Sequence, residues 1–147
     1  MSEVCHILVA VIPWTLSDIE GALRASWAAD TCSPDDLHRA GWEPSNPAWG
    51  HCDITALLLN DLLGGDLMVA EVHLDGEGHG FHWWNRLATG IEIDLTREQF
   101  RRGQVLAGAR AVRRPARRPL RRHREYQLLR QRVAAHLGRL PDQIGGC

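Results

Sequence analysis

The sequence predicts an α+β fold in which a central helix packs on a small antiparallel sheet. Two observations carry this. Residues 52–63 are apolar nearly all round (Ile54, Ala56, Leu57, Leu58, Leu59, Leu62, Leu63) and end at Gly64-Gly65, the pattern of a buried helix with a glycine stop. Three short strand-like runs then follow, over residues 67–74, 81–87 and 91–95, separated by glycine-containing turns at 75–80 and 88–90.

The remaining elements follow in order. Residues 4–12 are apolar but short, with no basic flank before them and no Ala-x-Ala site after, so they read as a strand or core segment rather than a signal peptide. Residues 15–29 read as a helix: Ser17-Asp-Ile-Glu20 has a capping-box pattern, and Ile19, Leu23 and Trp27 recur at helical spacing. Pro34, Gly41, Pro44, Pro47 and Gly50 make residues 30–50 a loop. Thr96-Arg-Glu-Gln99 reads as a second capping box, opening a short helix to about Arg102. The segment 110–124 is rich in proline and arginine, a last helix spans about Arg121 to Leu137, and Gly138 stops it. The Gly145-Gly-Cys147 tail reads as loose.

A length of 147 residues points to one domain, 1–147, with a core at about 15–102 and an Arg-rich segment plus C-terminal helix over 103–138. No apolar run approaches the roughly 18 residues that span a bilayer, which argues against a membrane protein and makes the cytoplasm the expected compartment. The four cysteines, Cys5, Cys32, Cys52 and Cys147, lack Cys-x-x-Cys spacing and are too sparse for a disulfide scaffold, so they read as free thiols. Charge is divided along the chain. Residues 1–96 hold 3 Arg and 15 acids (−12), residues 97–147 hold 14 Arg and 3 acids (+11), and there is no lysine.

Cys52, His82 and Asp94 form the candidate catalytic set. Cys52 opens the apolar helix straight after a turn-rich stretch, and a helix N-terminus favours a thiolate. A thiol nucleophile needs an imidazole as base and a carboxylate or amide to fix that imidazole's tautomer. His82 and Asp94 lie on successive strand-like runs and offer both, although the turn at 88–90 leaves their common facing undecided. Each has a plain structural reading too: Cys52 as a small hydrophobe, His82 as a packed core residue, Asp94 as a cap on the turn into Thr96.

The stretch Trp42-Glu-Pro-Ser-Asn-Pro-Ala-Trp-Gly-His-Cys52, with Thr55-Ala-Leu57, Asp61-Leu-Leu-Gly-Gly65, His82-Trp-Trp-Asn-Arg-Leu87 and Glu92-Ile-Asp-Leu-Thr-Arg-Glu-Gln-Phe100, resembles the small bacterial YunG-like family over roughly residues 20–102. More distantly, the Cys, His, Asp order is similar to the papain-like and transglutaminase-like superfamily of cysteine enzymes. The resemblance implies a papain-like or transglutaminase-like core and thiol chemistry on acyl groups, with Cys52 as nucleophile, His82 as base and Asp94 as the residue that orients it. The family pattern has glutamine before the cysteine. Here His51 stands there, and a ring N–H of His51 would take over oxyanion stabilisation.

Around this set, Trp49, Trp84 and Asn85, with His51, are candidate substrate-binding residues, and adjacent Trp83 and Trp84 must face opposite sides of a strand. His79-x-x-His82, with His73, His51 and Cys52, lacks a second standard ligand pair, so no metal and no cofactor is expected. Arg113, Arg114, Arg117, Arg118, Arg121 and Arg122 read as a solvated face or as a site for an anion or an acidic partner protein. No aromatics interleave them, which argues against nucleic acid. Three functions stay open. The first is a thiol enzyme on a small-molecule, peptide or carrier-linked acyl substrate. The second is a biosynthetic cyclase or eliminase using the same site for acid–base chemistry on an anionic substrate. The third is a non-enzymatic binding module. The tryptophan-rich content leaves a dimer open as well.

Overall fold

The structure is a computed structural model that describes residues 13–113, 120–138 and 140. The expected strand at 4–12, the loose tail and Arg114, Arg117 and Arg118 lie outside the described residues. The elements are α1 (Leu16–Ser26), α2 (Pro34–Arg39), α3 (Cys52–Leu63), β1 (Asp66–Leu74), β2 (Glu77–Arg86), β3 (Glu92–Ile93), β4 (Val105–Val112) and α4 (His123–Leu137). Single 3₁₀ turns lie at Arg97–Gln99 and Leu120–Arg122. The strands form one antiparallel four-stranded sheet in the order β3-β2-β1-β4.

The helix α1 starts one cap earlier than the sequence suggests. Thr15 Oγ1 accepts from the Asp18 backbone N–H (3.1 Å), and the Asp18 carboxylate accepts from the Thr15 N–H (2.8 Å), so the capping box is Thr15–Asp18 rather than Ser17–Glu20. Its inward stripe is Ile19, Ala22, Leu23 and Ser26. The central helix α3 runs over the expected residues and buries Ile54, Thr55, Ala56, Leu57, Leu58, Leu59 and Leu62. Helix α4 adds Tyr126, Leu129 and Val133 to the same core, and the Tyr126 hydroxyl donates to the Asp61 carboxylate of α3. The C-terminal helix therefore shares one hydrophobic core with α1 and α3, on the sheet face that carries Leu67 and Trp83. Met68, Ala70 and Trp84 form a small cluster on the other face.

The glycine-rich turn shrinks to Asp75-Gly76, because β2 extends back to Glu77 and pairs with Leu74. The third strand is only Glu92–Ile93, since Asp94 is drawn into side-chain bonds. Thr96 makes no cap bond, and the helix expected to Arg102 is the single turn Arg97–Gln99. Two elements carried no usable sequence signal. Helix α2 sits inside the expected loop with Pro34 in its first turn, and β4 is an exposed edge strand of small residues with no alternation.

Gly65 joins α3 to β1 at φ +81°, where an added Cβ would sit 2.3 Å from the Arg86 carbonyl oxygen. Backbone on both sides leaves nothing flexible to yield. Gly65→Ala is expected to cost about 2 kcal/mol or more, read as a lower urea midpoint at unchanged slope.

Candidate active site

Cys52 is the first residue of α3, and a buried arginine holds that helix start in place. Arg122, 7% exposed, bonds both Asp53 carboxylate oxygens (3.1 and 3.3 Å) and donates to the carbonyls of Thr31, Cys32 and Gly50 (3.1, 3.2 and 3.1 Å). Asp53 in turn accepts from the Ile54 N–H (2.8 Å), in the first turn of α3. Gly50 allows the approach: it has φ +73°, and an added Cβ would lie 2.3 Å from Cys32 Sγ.

His82 is 1% exposed, and three neighbours fix its ring. Its Nε2 lies 2.7 Å from Asp94 Oδ2, its ring stacks on Trp84 (centroids 5.8 Å), and Phe100 meets it edge-on (4.5 Å). Asp94 comes one step past the last paired residue of β3 and reaches His82 diagonally. Its other oxygen accepts from the Thr96 N–H (3.2 Å) and hydroxyl (3.3 Å), so Asp94 is both turn cap and histidine partner. With the Nε2 proton given to Asp94, Nδ1 is the free acceptor of the neutral ring. The Gln99 amide nitrogen donates to it at 3.0 Å.

Cys52, His82 and Gln99 line one cavity of about 240 Å³, walled by Trp49, Val72 and Phe81 among others. No hydrogen bond joins Cys52 directly to His82 among the described residues. The thiol makes a weak 4.0 Å contact with the Phe81 carbonyl. Gln99, which lines the same cavity, donates to His82. The half-buried thiol has its pKa pushed up to about 12, first by desolvation and then by the adjacent Asp53. The Trp83 backbone N–H and Gln99 pull it the other way without prevailing. Burial and Asp53 thus oppose the thiolate that the helix start favours.

The other sequence-predicted residues divide. Trp49 does line the cavity, anchored by its indole N–H to the Ala40 carbonyl (3.1 Å). Trp84 backs His82 and lines a separate surface cleft with Glu92 and Asp94. His51 does not face the cavity: it is 0% exposed, with Nδ1 on the Trp49 carbonyl (2.8 Å) and Nε2 on the Thr31 hydroxyl (2.7 Å). No ring N–H is left for an oxyanion. Asn85 is turned inward as well, donating to the Ala56 carbonyl of α3 at 2.8 Å. Arg122 is internal, Arg121 pairs with Asp35 (2.8 Å) and Arg113 is exposed, so these three form no common anion site. Among the described residues no group of three His, Cys, Asp or Glu is placed to hold a metal ion. Nor is any helix among them long and apolar enough to cross a membrane. Sequence reasoning missed Gln99, Phe100 and the Arg122 clamp. Gln99 stood inside the Glu92–Phe100 motif but was absorbed by the capping-box reading of Thr96.

Residues 15–138 match the family model described as YunG protein. The chain belongs to the YunG family. It is 27% identical over 85 residues to the uncharacterized protein YunG of Bacillus subtilis (strain 168), covering 58% of this chain and 63% of that relative. No solved structure matches the chain. The YunG match extends past the core read from sequence and takes in β4, which supplies the open sheet edge, and the Leu120–Arg122 turn with α4, which supply the Arg122 clamp.

Two stability tests follow. Burial lowers the His51 pKa to about 4, overriding the bond to the Trp49 carbonyl. The folded state keeps the ring neutral while the unfolded chain takes a proton near 6.5, so this stability is full above about 6.5 and is lost as pH falls toward about 4. Urea titrations at pH 7 and 4.5 should show a loss of up to about 3 kcal/mol that is smaller in His51→Asn. Arg122→Leu strips Asp53 and three carbonyls of their partner and should cost about 3 kcal/mol or more, measured the same way.

Proposed function

We propose that the chain is a small cysteine-dependent enzyme acting on acyl or amide groups, by hydrolysis or acyl transfer. One observation carries the reading: Cys52 and His82, whose Nε2 is held by Asp94, line the same small cavity together with Gln99, which donates to His82. The order and supports of these groups resemble those of papain-like and transglutaminase-like enzymes.

In this scheme a substrate carbonyl enters over Cys52 and displaces the Gln99 amide from His82. Freed Nδ1 takes the thiol proton as sulfur attacks the acyl carbon, so proton transfer and attack are coupled. That coupling suits a thiol with a raised pKa, for which a resting thiolate is unfavourable. Asp94 at Nε2 holds the tautomer and stabilises the imidazolium. The Gln99 amide and the Trp83 N–H, both of which favour the thiolate, would support a developing oxyanion. His82 then returns the proton to the leaving group, and water or an amine resolves the thioester. The raised thiol pKa also favours a second reading, in which His82 and Asp94 perform acid–base cyclisation or elimination and Cys52 only lines the cavity.

Site-resolved alkylation by iodoacetamide separates the two. On the first reading Cys52 labels at pH 7 at least about tenfold faster in the wild type than in His82→Ala. Gln99→Ala should label faster than the wild type, because Nδ1 is released. Equal rates in wild type and His82→Ala would overturn the thiol mechanism and leave the acid–base one.

A further inference from the structure

We propose that the cavity over Cys52 takes a small acyl substrate carrying an anionic group, received by Arg101 and Arg39. This rests on the thiol reading above and adds the substrate's charge to it.

Size is the first argument. A cavity of about 240 Å³ lies below the roughly 300–1,000 Å³ of sites for drug-sized ligands, so an acyl group of few atoms fits and a folded domain or long side chain does not. The wall is layered by polarity. Val72, Leu74, Phe81 and Phe100 supply apolar surface, and Cys52 with His82 supplies the reacting end. Arg39 and Arg101 are the two exposed cationic side chains of the lining, so the charge sits toward solvent and the chemistry toward the interior.

Charge is the second argument. Among the described residues Asp36 is the only carboxylate in the lining, and it is half-buried. Arg39 is loosely held, 3.9 Å from Asp36 and 3.4 Å from the His79 carbonyl. Arg101 makes no ion pair among the described residues, and the contact that places it is its backbone N–H on Gln104 Oε1 (2.8 Å). Arg24, Arg86, Arg121 and Arg132, by contrast, each pair with a carboxylate at 2.9 Å or less. Two exposed guanidinium groups with spare donors, in a lining whose one carboxylate is half-buried, suit a carboxylate or phosphate, which they can bind bidentately.

Two small alkylating agents test this on the intact chain. Iodoacetate and iodoacetamide react alike: the sulfur displaces iodide, which leaves with the electron pair of the C–I bond, and the thiol proton goes to the base or to solvent. They differ in that iodoacetate carries the anion. Cys52 labelling is followed by peptide mass spectrometry, which separates it from Cys5, Cys32 and Cys147. The expected iodoacetate-to-iodoacetamide ratio is about three- to fivefold above that of the urea-unfolded chain, and it shrinks with added salt. It falls toward the unfolded value in Arg39→Gln/Arg101→Gln and below it in Arg101→Glu. A wild-type ratio equal to the unfolded one, or one unmoved by the double substitution, overturns the anion site. The iodoacetamide rate in His82→Ala tests the thiol mechanism separately, and even a slow, His82-independent thiol still yields the ratio.

Discussion

The Arg122–Asp53 pair is the constraint on which the candidate site depends. One buried guanidinium gathers the carboxylate at the second residue of α3 and three backbone carbonyls from the segments at 31–32 and 50. Arg122 itself closes the turn that opens α4, whose far end returns to α1 through Arg132 on Asp30 and the Ser26 carbonyl. The position of Cys52 is thus set from outside its own helix, by a residue far downstream in the chain. A buried ion pair of this kind is weak evidence of net stability, because desolvation offsets much of the attraction. Its geometric effect is firmer: without Asp53 the buried guanidinium keeps only Glu125 (3.3 Å) as an ionic partner, and without Arg122 the Asp53 carboxylate and three carbonyls lose theirs, so the helix start is held in one arrangement.

That same clamp shapes the thiol's electrostatics. The helix start and nearby N–H groups favour a thiolate at Cys52, while burial and the neighbouring Asp53 oppose it, and opposition prevails. Asp53 is needed to bind Arg122, so the group that fixes the cysteine in space also raises its pKa. His82 lines the same cavity and has the one ring nitrogen not committed to Asp94 aimed at Gln99.

Much of this was legible in the sequence where a local rule acts alone. The apolar circumference and glycine stop of α3 gave its span within the described structure, and the turn chemistry at 88–90 gave the end of β2. The side chains of Cys52, His82 and Asp94 were singled out by type and order, though not their facing, which depends on register. Legibility failed where tertiary contacts compete with local ones. Asp94 looked like a cap or a histidine partner and is both, because a carboxylate has two oxygens. His51 looked like a site residue because it adjoins Cys52, yet one step before a helix start its side chain turns into the core. Asn85 shares a strand with His82 at odd spacing and so faces α3. The edge strand β4 has neither alternation nor β-branched density, so only its pairing with β1 reveals it.

The division of charge along the chain also changes meaning once folded. An acidic first part and an arginine-rich last part read as a solvated face or as a site for an anion or an acidic partner, and four of the late arginines turn back on early acids: Arg121 on Asp35, Arg122 on Asp53, Arg130 on Asp61 and Arg132 on Asp30. The asymmetry is in part a means of joining the C-terminal helix to the rest of the domain. The cations that line the Cys52 cavity come from elsewhere, Arg39 at the end of α2 and Arg101 just after Phe100. Arg39 adjoins Ala40, whose carbonyl anchors Trp49, and Arg101 adjoins Phe100, which meets His82 edge-on, so both are positioned by the local structure that places Trp49 and His82. Selectivity for an anionic substrate would then be a property of the cavity's rim, independent of the arginine tract that dominates the sequence.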